Sequence, residues 1–264
     1  MLKFILKNIE DIAPWSYNGK STLSWFALTD SYYWFDFAGV QFPQYNEELL
    51  KNHNKDKIVP FIDYPFARIF SDICDILPYI AFPVPDEVFE YVNSIEKIED
   101  YRKSLQQWLM NTWDESDEQY DLFMESAQGW LFSRKLDFGY LVGGPDLFII
   151  RNKNEIHFYW TADFIDENGI YFWNTKRGKY SCGYNEFVGE LLQCFRSFGY
   201  EMQKQILQCA KKPLGVEINL DQLQQNQIQY EDIISSTESG TILLADEPDW
   251  KNILEKIESI RNYI

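Results

Sequence analysis

The chain has 264 residues, 45% hydrophobic, 25% charged and 17% aromatic, which supplies a sizeable core and excludes disorder over most of its length. Against 24 basic side chains stand 41 acidic ones, and a net charge of −17 argues against direct recognition of nucleic acid or anionic lipid, both of which rely on Lys and Arg at phosphates. No apolar run reaches the roughly 18 residues of a membrane helix, and Lys3 and Lys7 interrupt any signal-peptide core, so the expected location is the cytoplasm.

Residues 2–9 alternate and predict a strand. Pro14 and Asn18-Gly19 mark turns, and the aromatic run from Leu23 to Phe37, stopped by Gly39, continues the extended pattern. Over 63–80, Phe66, Ile69, Phe70, Ile73 and Leu77 recur every three to four residues, which predicts one buried helical face with Pro65 in the first turn. Ile80 to Pro85 reads as a loop, and Asp86 opens a short helix. From 96 to 134 the helical period persists with Trp108, Trp113, Phe123, Leu131 and Phe132 on its buried side, while DESDEQYDLFME at 114–125 holds six acids and no base.

After Arg134 the period becomes two. LDFGYLV at 136–142, DLFIIRN at 146–152 and EIHFYWT at 155–161, separated by Gly-Gly-Pro and Asn152-Lys153-Asn154, predict an antiparallel meander that Ile170 to Trp173 continues. Asn185 as N-cap and Glu186 in the first turn start the longest helix, which runs to about Ala210. Its stripe of Phe187, Leu191, Cys194, Phe195, Phe198, Met202, Ile206 and Cys209 is expected across the meander. Residues 213–245 are rich in Gln and Asn and read as irregular with one short helix; Asp249 to Tyr263 ends the pattern as a helix with Trp250, Leu254 and Ile257 in register. The predicted fold class is α+β, with antiparallel sheet from the N-terminal aromatic region and a 136–173 meander, packed by helices near 65–78, 96–134, 185–210 and 249–263. Residues 1–264 read as a single domain with a helical insertion at 86–134 and an irregular segment at 213–245.

Chemistry is sparse. Cys74, Cys182, Cys194 and Cys209 form no C-x-x-C pair, and with two histidines they lack zinc-site spacing, so buried reduced thiols are expected, with no metal or cofactor. The G-x-S-x-G, G-x-x-x-x-G-K-[ST], G-x-G-x-x-G and H-E-x-x-H patterns do not occur. His53 lies in the polar stretch NHNKDK without a partner motif. His157 shares a strand face with Glu155 and Tyr159 and is the histidine placed to line a cleft. Asp30, Asp36 and Asp63 are carboxylates that a glycosidase could pair beside aromatic rings, although 41 acids produce such pairs by chance. Arg68 stands four residues before Asp72, as an intrahelical ion pair requires, and alternatively reaches Asp30 or Asp63.

Three segments, LSWFALTDSYYWFDFAG at 23–39, DYPFARIFSDICDILP with PVPDEV at 63–88, and DFGYLVGGPDLFIIRNKNEIHFYW at 137–160, carry a likeness. Together they resemble an uncharacterised bacterial domain family that shares W-F-x-L-T-D-x-x-Y-W, D-Y-x-x-A-R-x-x-x-D and G-Y-L-x-x-G-P blocks. The helix NEFVGELLQCFRSFGYEMQKQI resembles that family's F-x-x-E-V-x-x-F helix, with Leu191 where Val is usual, so the likeness covers roughly 1–210. The resemblance singles out Trp25, Asp30, Trp34, Asp63, Arg68 and Tyr140 as fold determinants or pocket residues and brings no activity with it. Small acidic families of this kind look like immunity proteins of bacterial toxin systems.

The expectation that follows is a non-catalytic, immunity-type inhibitor that neutralises a cognate toxin, or another basic protein, by stoichiometric complex formation. Asp114, Glu115, Asp117, Glu118 and Asp121 would meet the basic surface. The alternative is a small-molecule-binding protein or hydrolase with an aromatic and carboxylate-lined pocket that uses His157 or Asp63.

Overall fold

The computed structural model describes all residues except 18–19, 53–58, 113–119, 212–215, 240–244 and 262–264. In chain order the elements are β1 (Leu2–Leu6), β2 (Trp15–Tyr17), β3 (Lys20–Thr22), α1 (Trp25–Leu28), β4 (Asp30–Phe37), β5 (Val40–Phe42), α2 (Glu47–Asn52), β6 (Ile62–Pro65), α3 (Phe66–Ile80), α4 (Asp86–Phe89) and α5 (Ile95–Thr112). They continue as α6 (Tyr120–Met124), α7 (Trp130–Phe132), β7 (Lys135–Leu136), β8 (Asp146–Asn152), β9 (Glu155–Thr161), β10 (Arg177–Gly183), α8 (Tyr184–Lys211), α9 (Leu220–Glu238) and α10 (Trp250–Arg261). The fold is α+β with antiparallel sheets. The elements gather into two compact units, one of Met1–Ile73, Asp166–Asn174 and Glu186–Leu243, the other of Cys74–Ile165, Thr175–Asn185 and Leu244–Ile264.

In the first unit the aromatic run does not stay extended. The Ser24 hydroxyl accepts the Ala27 N–H at 3.2 Å, an N-cap that starts the single turn of α1, and Thr29 ends it by donating its own hydroxyl to the Phe26 carbonyl at 2.7 Å. Strand β4 then alternates strictly: Ser31, Tyr33, Phe35 and Phe37 are buried, whereas Asp30, Tyr32, Trp34 and Asp36 are half-buried on the other face. It is the central strand, antiparallel to β1, β5 and β6. Pro65 closes β6 instead of entering the helix, so α3 begins at Phe66. Phe66, Ile69, Phe70 and Ile73 are buried as the spacing predicts, with Ile76 more deeply buried than Leu77.

All eight residues of the α8 stripe are buried. Periodicity predicts that stripe across the meander; within the first unit the rings of Phe195 and Phe198 meet aromatic partners. Phe198 meets Phe4 at 5.6 Å, Phe66 at 4.4 Å and Tyr230 at 5.2 Å, and Phe195 meets Phe70 at 4.7 Å. The helix starts at Tyr184, one residue before the predicted cap. A larger difference lies in the segment read as irregular, where 19 residues form α9. Asn219 caps it by accepting the Gln222 N–H at 3.0 Å, and Leu223, Gln227, Tyr230 and Ile234 bury one face. Two of those four are polar, which hides the period; their polar groups are satisfied on α8, Tyr230 donating to the Phe195 carbonyl at 3.0 Å and Gln227 to that of Gly199 at 3.1 Å.

In the second unit β7 to β10 form the expected antiparallel meander, in sheet order β10-β9-β8-β7, with two corrections. The strand predicted for 136–142 leaves the sheet after Leu136, because the Asp137 carboxylate accepts the Gly139 N–H at 2.8 Å and successive tight turns follow at Leu141 and Gly144. The fourth strand is Arg177–Gly183 and not Ile170 to Trp173, which lies in the first unit, where Trp173 stacks on Tyr45 at 4.7 Å. Strand β10 is nearly free of apolar residues. It pairs because Gly178 leaves room for the indole of Trp160: a Cβ there would lie 2.1 Å from the ring.

Helices α4, α5, α6, α7 and α10 bury Val88, Ile98, Leu105, Phe123, Leu131 and Ile257 in a core shared with Phe148 and Ile150 of β8. Trp108 stacks on Phe123 at 4.6 Å, Phe132 is half-buried, and Trp113 lies outside the described residues. On α10 the buried face is Ile253, Ile257 and Ile260, flanked by the partly buried Trp250 and Leu254.

Arg134 is fully buried in this unit. Its guanidinium donates to the carbonyls of Trp130 at 2.6 Å, Tyr79 at 2.8 Å and Phe82 at 3.4 Å, and sits 5.3 Å from the centre of the Trp250 ring. Burial pushes its pKa down to about 10, which still leaves it charged at neutral pH. It thereby supplies donors to carbonyls in the last turn of α3 and just beyond it.

Each unit is assembled from three separate stretches of chain, and residues of both occur within α3 and α8, so neither can be excised as one continuous piece. Heating of residues 1–264 is therefore expected to give one cooperative calorimetric transition, and Arg134→Ala should lower the unfolding free energy in urea by about 3 kcal/mol, with Arg134→Lys recovering little. Two resolved transitions would make the units separate domains, and unchanged stability of R134A would remove this role from Arg134.

Candidate functional site

The pairing of β4 decides which side chains meet. Lys3 lies opposite Trp34 and Ile5 opposite Tyr32 on β1, and Asp63 of β6 lies opposite Tyr32 from the other side. Directly opposed residues share a face, so these side chains, with Lys7 just past β1 and Phe61 just before β6, line the side of the sheet away from Tyr33, Phe35 and Ile62. The Lys7 ammonium sits 3.0 Å from the Asp30 carboxylate, 2.5 Å from that of Asp63 and 5.3 Å from the centre of the Tyr32 ring. Trp34 stacks on Phe61 at 3.9 Å with 13° between the planes.

Three residues singled out from sequence, Asp30, Trp34 and Asp63, are thus brought to one sheet face. Lys7, which sequence reading uses only as a break in an apolar run, is the residue that joins them. Nothing in its local pattern marks it, because its role depends on the register of β1 against β4. Burial opposes its charge, but the hydrogen bonds to Asp63 and Asp30 outweigh that and hold its pKa above the ordinary lysine value. Burial, followed by the charge of Asp63, raises the pKa of Tyr45. The three carboxylates considered for sugar chemistry all have partners here: Asp30 and Asp63 share Lys7, and Asp36 accepts the Gly39 N–H at 2.8 Å.

The other predicted residues are dispersed. Arg68 pairs with Asp72 along α3 at 3.1 Å, the intrahelical arrangement, and the cation at Asp30 and Asp63 is Lys7. The Trp25 indole donates to the Gln227 side chain at 3.1 Å and packs on Tyr230 at 5.7 Å, which ties α1 to α9. Tyr140 is half-buried in the turns after β7, 6.2 Å from the Phe138 ring. His157 lies between aromatic rings, 4.9 Å from Phe89 and 6.1 Å from a parallel Tyr159, with Nε2 3.7 Å from the Glu155 carboxylate. Burial lowers its pKa, Glu155 opposes that and Lys179 adds to it.

His53, Asp114, Glu115, Asp117 and Glu118 lie outside the described residues. Asp121 is described, and it is exposed on α6. Met110 near the end of α5 is 79% exposed and Leu122 on α6 is 67% exposed, so large apolar side chains stand out on the helix before the acidic run and on the short helix within it. Burial pushes the thiols of Cys74 and Cys194 up to about 12, which makes both unreactive at neutral pH. Among the described residues no three His, Cys, Asp or Glu side chains are grouped as a metal ion would require, and no helix is long and apolar enough to cross a membrane.

Replacing Lys7 by Met leaves two carboxylates without their shared counter-ion and should cost about 1–2 kcal/mol in urea unfolding, with Lys7→Arg restoring most of it; an unchanged midpoint for K7M would show that the cluster adds nothing to stability. For His157 the folded pKa lies below the unfolded value of 6.5, so the unfolded chain takes up the proton first and stability falls as the pH drops through 6.5 toward the depressed value. Midpoints at about pH 5 and about pH 7.5 should therefore lie closer together in His157→Asn than in the wild type. Identical pH dependence in the two proteins would remove His157 as a contributor.

Comparison with known proteins gives one match. The model of a family of unknown function, DUF5984, covers residues 1–256, which extends further toward the C-terminus than the motif blocks do. No curated protein and no solved structure matches the chain.

Proposed function

The chain belongs to DUF5984, a family of unknown function, and we propose that it is a non-catalytic binding protein, an immunity-type inhibitor that neutralises a cognate toxin in the cytoplasm by forming a stoichiometric complex. The observation that carries this reading is the exposure of Met110 on the helix before the acidic run and of Leu122 within that run, in a chain of net charge −17. Large apolar side chains that water surrounds in the free protein are what a desolvated interface centre uses, and surrounding acids supply the charged rim. The partner is accordingly a protein with a basic surface around an apolar recess. Opposite charge speeds the encounter and the apolar contacts slow dissociation, so one protein can silence another without turnover. A carboxylate-lined catalytic pocket draws less support, since Asp30 and Asp63 share Lys7 and Asp36 holds a turn.

Co-expression with a toxin encoded beside this chain's gene should protect the host and yield a one-to-one complex. Amides in place of Asp114, Glu115, Asp117, Glu118 and Asp121 should slow association about tenfold at low salt, the deficit shrinking as salt rises, whereas Met110→Ala with Leu122→Ala should act mainly on dissociation. An unchanged association rate removes the acidic run from the interface; neither binding nor protection overturns the inhibitor reading.

A further inference from the structure

Within the second unit, α5 and α10, together with α4 and the residues that follow it, enclose a groove of about 700 Å³. The half-buried Tyr91 and Leu254 supply an apolar floor over the buried Ile257. Four carboxylates and two cations line the groove, and both cations already have neighbours: Lys97 donates to the Glu90 carbonyl at 2.7 Å with its ammonium 3.7 Å from the Glu90 carboxylate, and the Arg261 guanidinium lies 5.5 Å from the centre of the Tyr91 ring. Asp100 on α5 and Glu258 on α10 are exposed and have no cation partner among the described residues. An apolar channel is thus flanked by unneutralised acids from two different helices.

We infer that this groove docks a basic amphipathic segment of a protein partner. Apolar side chains of the segment cover Tyr91 and Leu254, and Lys or Arg side chains beside them lay their alkyl stems on the floor while their charged heads reach Asp100 and Glu258. A small polycation would satisfy the carboxylates but leave the floor wet, so the gain from removing apolar surface from water favours a segment that brings its own apolar side chains. The inference rests on the reading of the chain as a binder of a basic protein, and adds to it a surface formed by residues other than those of the acidic run.

The test uses the full chain and a fluorescent synthetic helix of alternating Leu and Lys faces as probe, with a Glu-for-Lys counterpart and spermidine as comparisons. Asp100→Lys combined with Glu258→Lys should weaken binding of the Lys helix about tenfold. Asp232→Lys combined with Glu167→Lys, an equal change of net charge at exposed positions elsewhere, should change it by less than about twofold. Leu254→Ser, with folding checked by near-ultraviolet circular dichroism, should weaken it as well, and spermidine should fail to displace the helix. Equal losses in the two charge-reversal variants would reduce the effect to the overall field of the protein. No binding by the wild type, or displacement by spermidine, would also overturn the groove assignment. If binding instead falls only when the acids at 114, 115, 117, 118 and 121 become amides, the groove inference fails while the binder reading stands.

Discussion

The period-two alternation of β4 is the constraint on which the first unit turns. One face of that strand, Ser31, Tyr33, Phe35 and Phe37, is buried, and the other carries Asp30, Tyr32, Trp34 and Asp36. A slip of one residue would exchange the two sets and place two carboxylates in the core, so the register is strongly specified. Pairing on both sides then follows from it: β1 delivers Lys7, and β6 delivers Asp63. The same alternation that builds the core therefore assembles the charged and aromatic outer face.

The second unit depends on polar satisfaction as much as on apolar burial. Arg134 is surrounded by carbonyls and an indole, and its charge is tolerated because several backbone oxygens share it. Tyr101 makes a comparable contact, its hydroxyl donating to the Ala127 carbonyl where a π-helical turn, Glu125–Gly129, loosens the backbone between α6 and α7. Around these polar anchors the helices lay Ile98, Leu105 and Ile257 into one core.

The buried thiols are held in the unreactive form, and His157 is packed between rings with its charged form disfavoured. Apolar side chains that reach the surface, in contrast, lie on helices of an acidic protein, where interface physics gives them a use: Met110 before the acidic run and Leu122 within it, and the half-buried Leu254 beneath the rim of a groove.

Local pattern determined the class of fold and much of its detail. The α3 and α8 stripes and β4 could be read directly because each repeats an apolar residue at its own period, and β8 and β9 because each is a short apolar run bounded by turn residues. The length of α9, where the sequence predicts one short helix, escaped because Gln227 and Tyr230 interrupt its apolar face, and β10 escaped because Gly178 stands where an apolar residue would have signalled pairing. Membership of the W-F-x-L-T-D-x-x-Y-W block pointed to Asp30 and Trp34, but not to Lys7, which shares no local pattern with them. Only the tertiary structure decided that Lys7 joins Asp30 to Asp63, that Arg134 is buried among carbonyls, and that Asp100 and Glu258 face one groove, since each of these depends on pairing or packing between segments far apart in the chain.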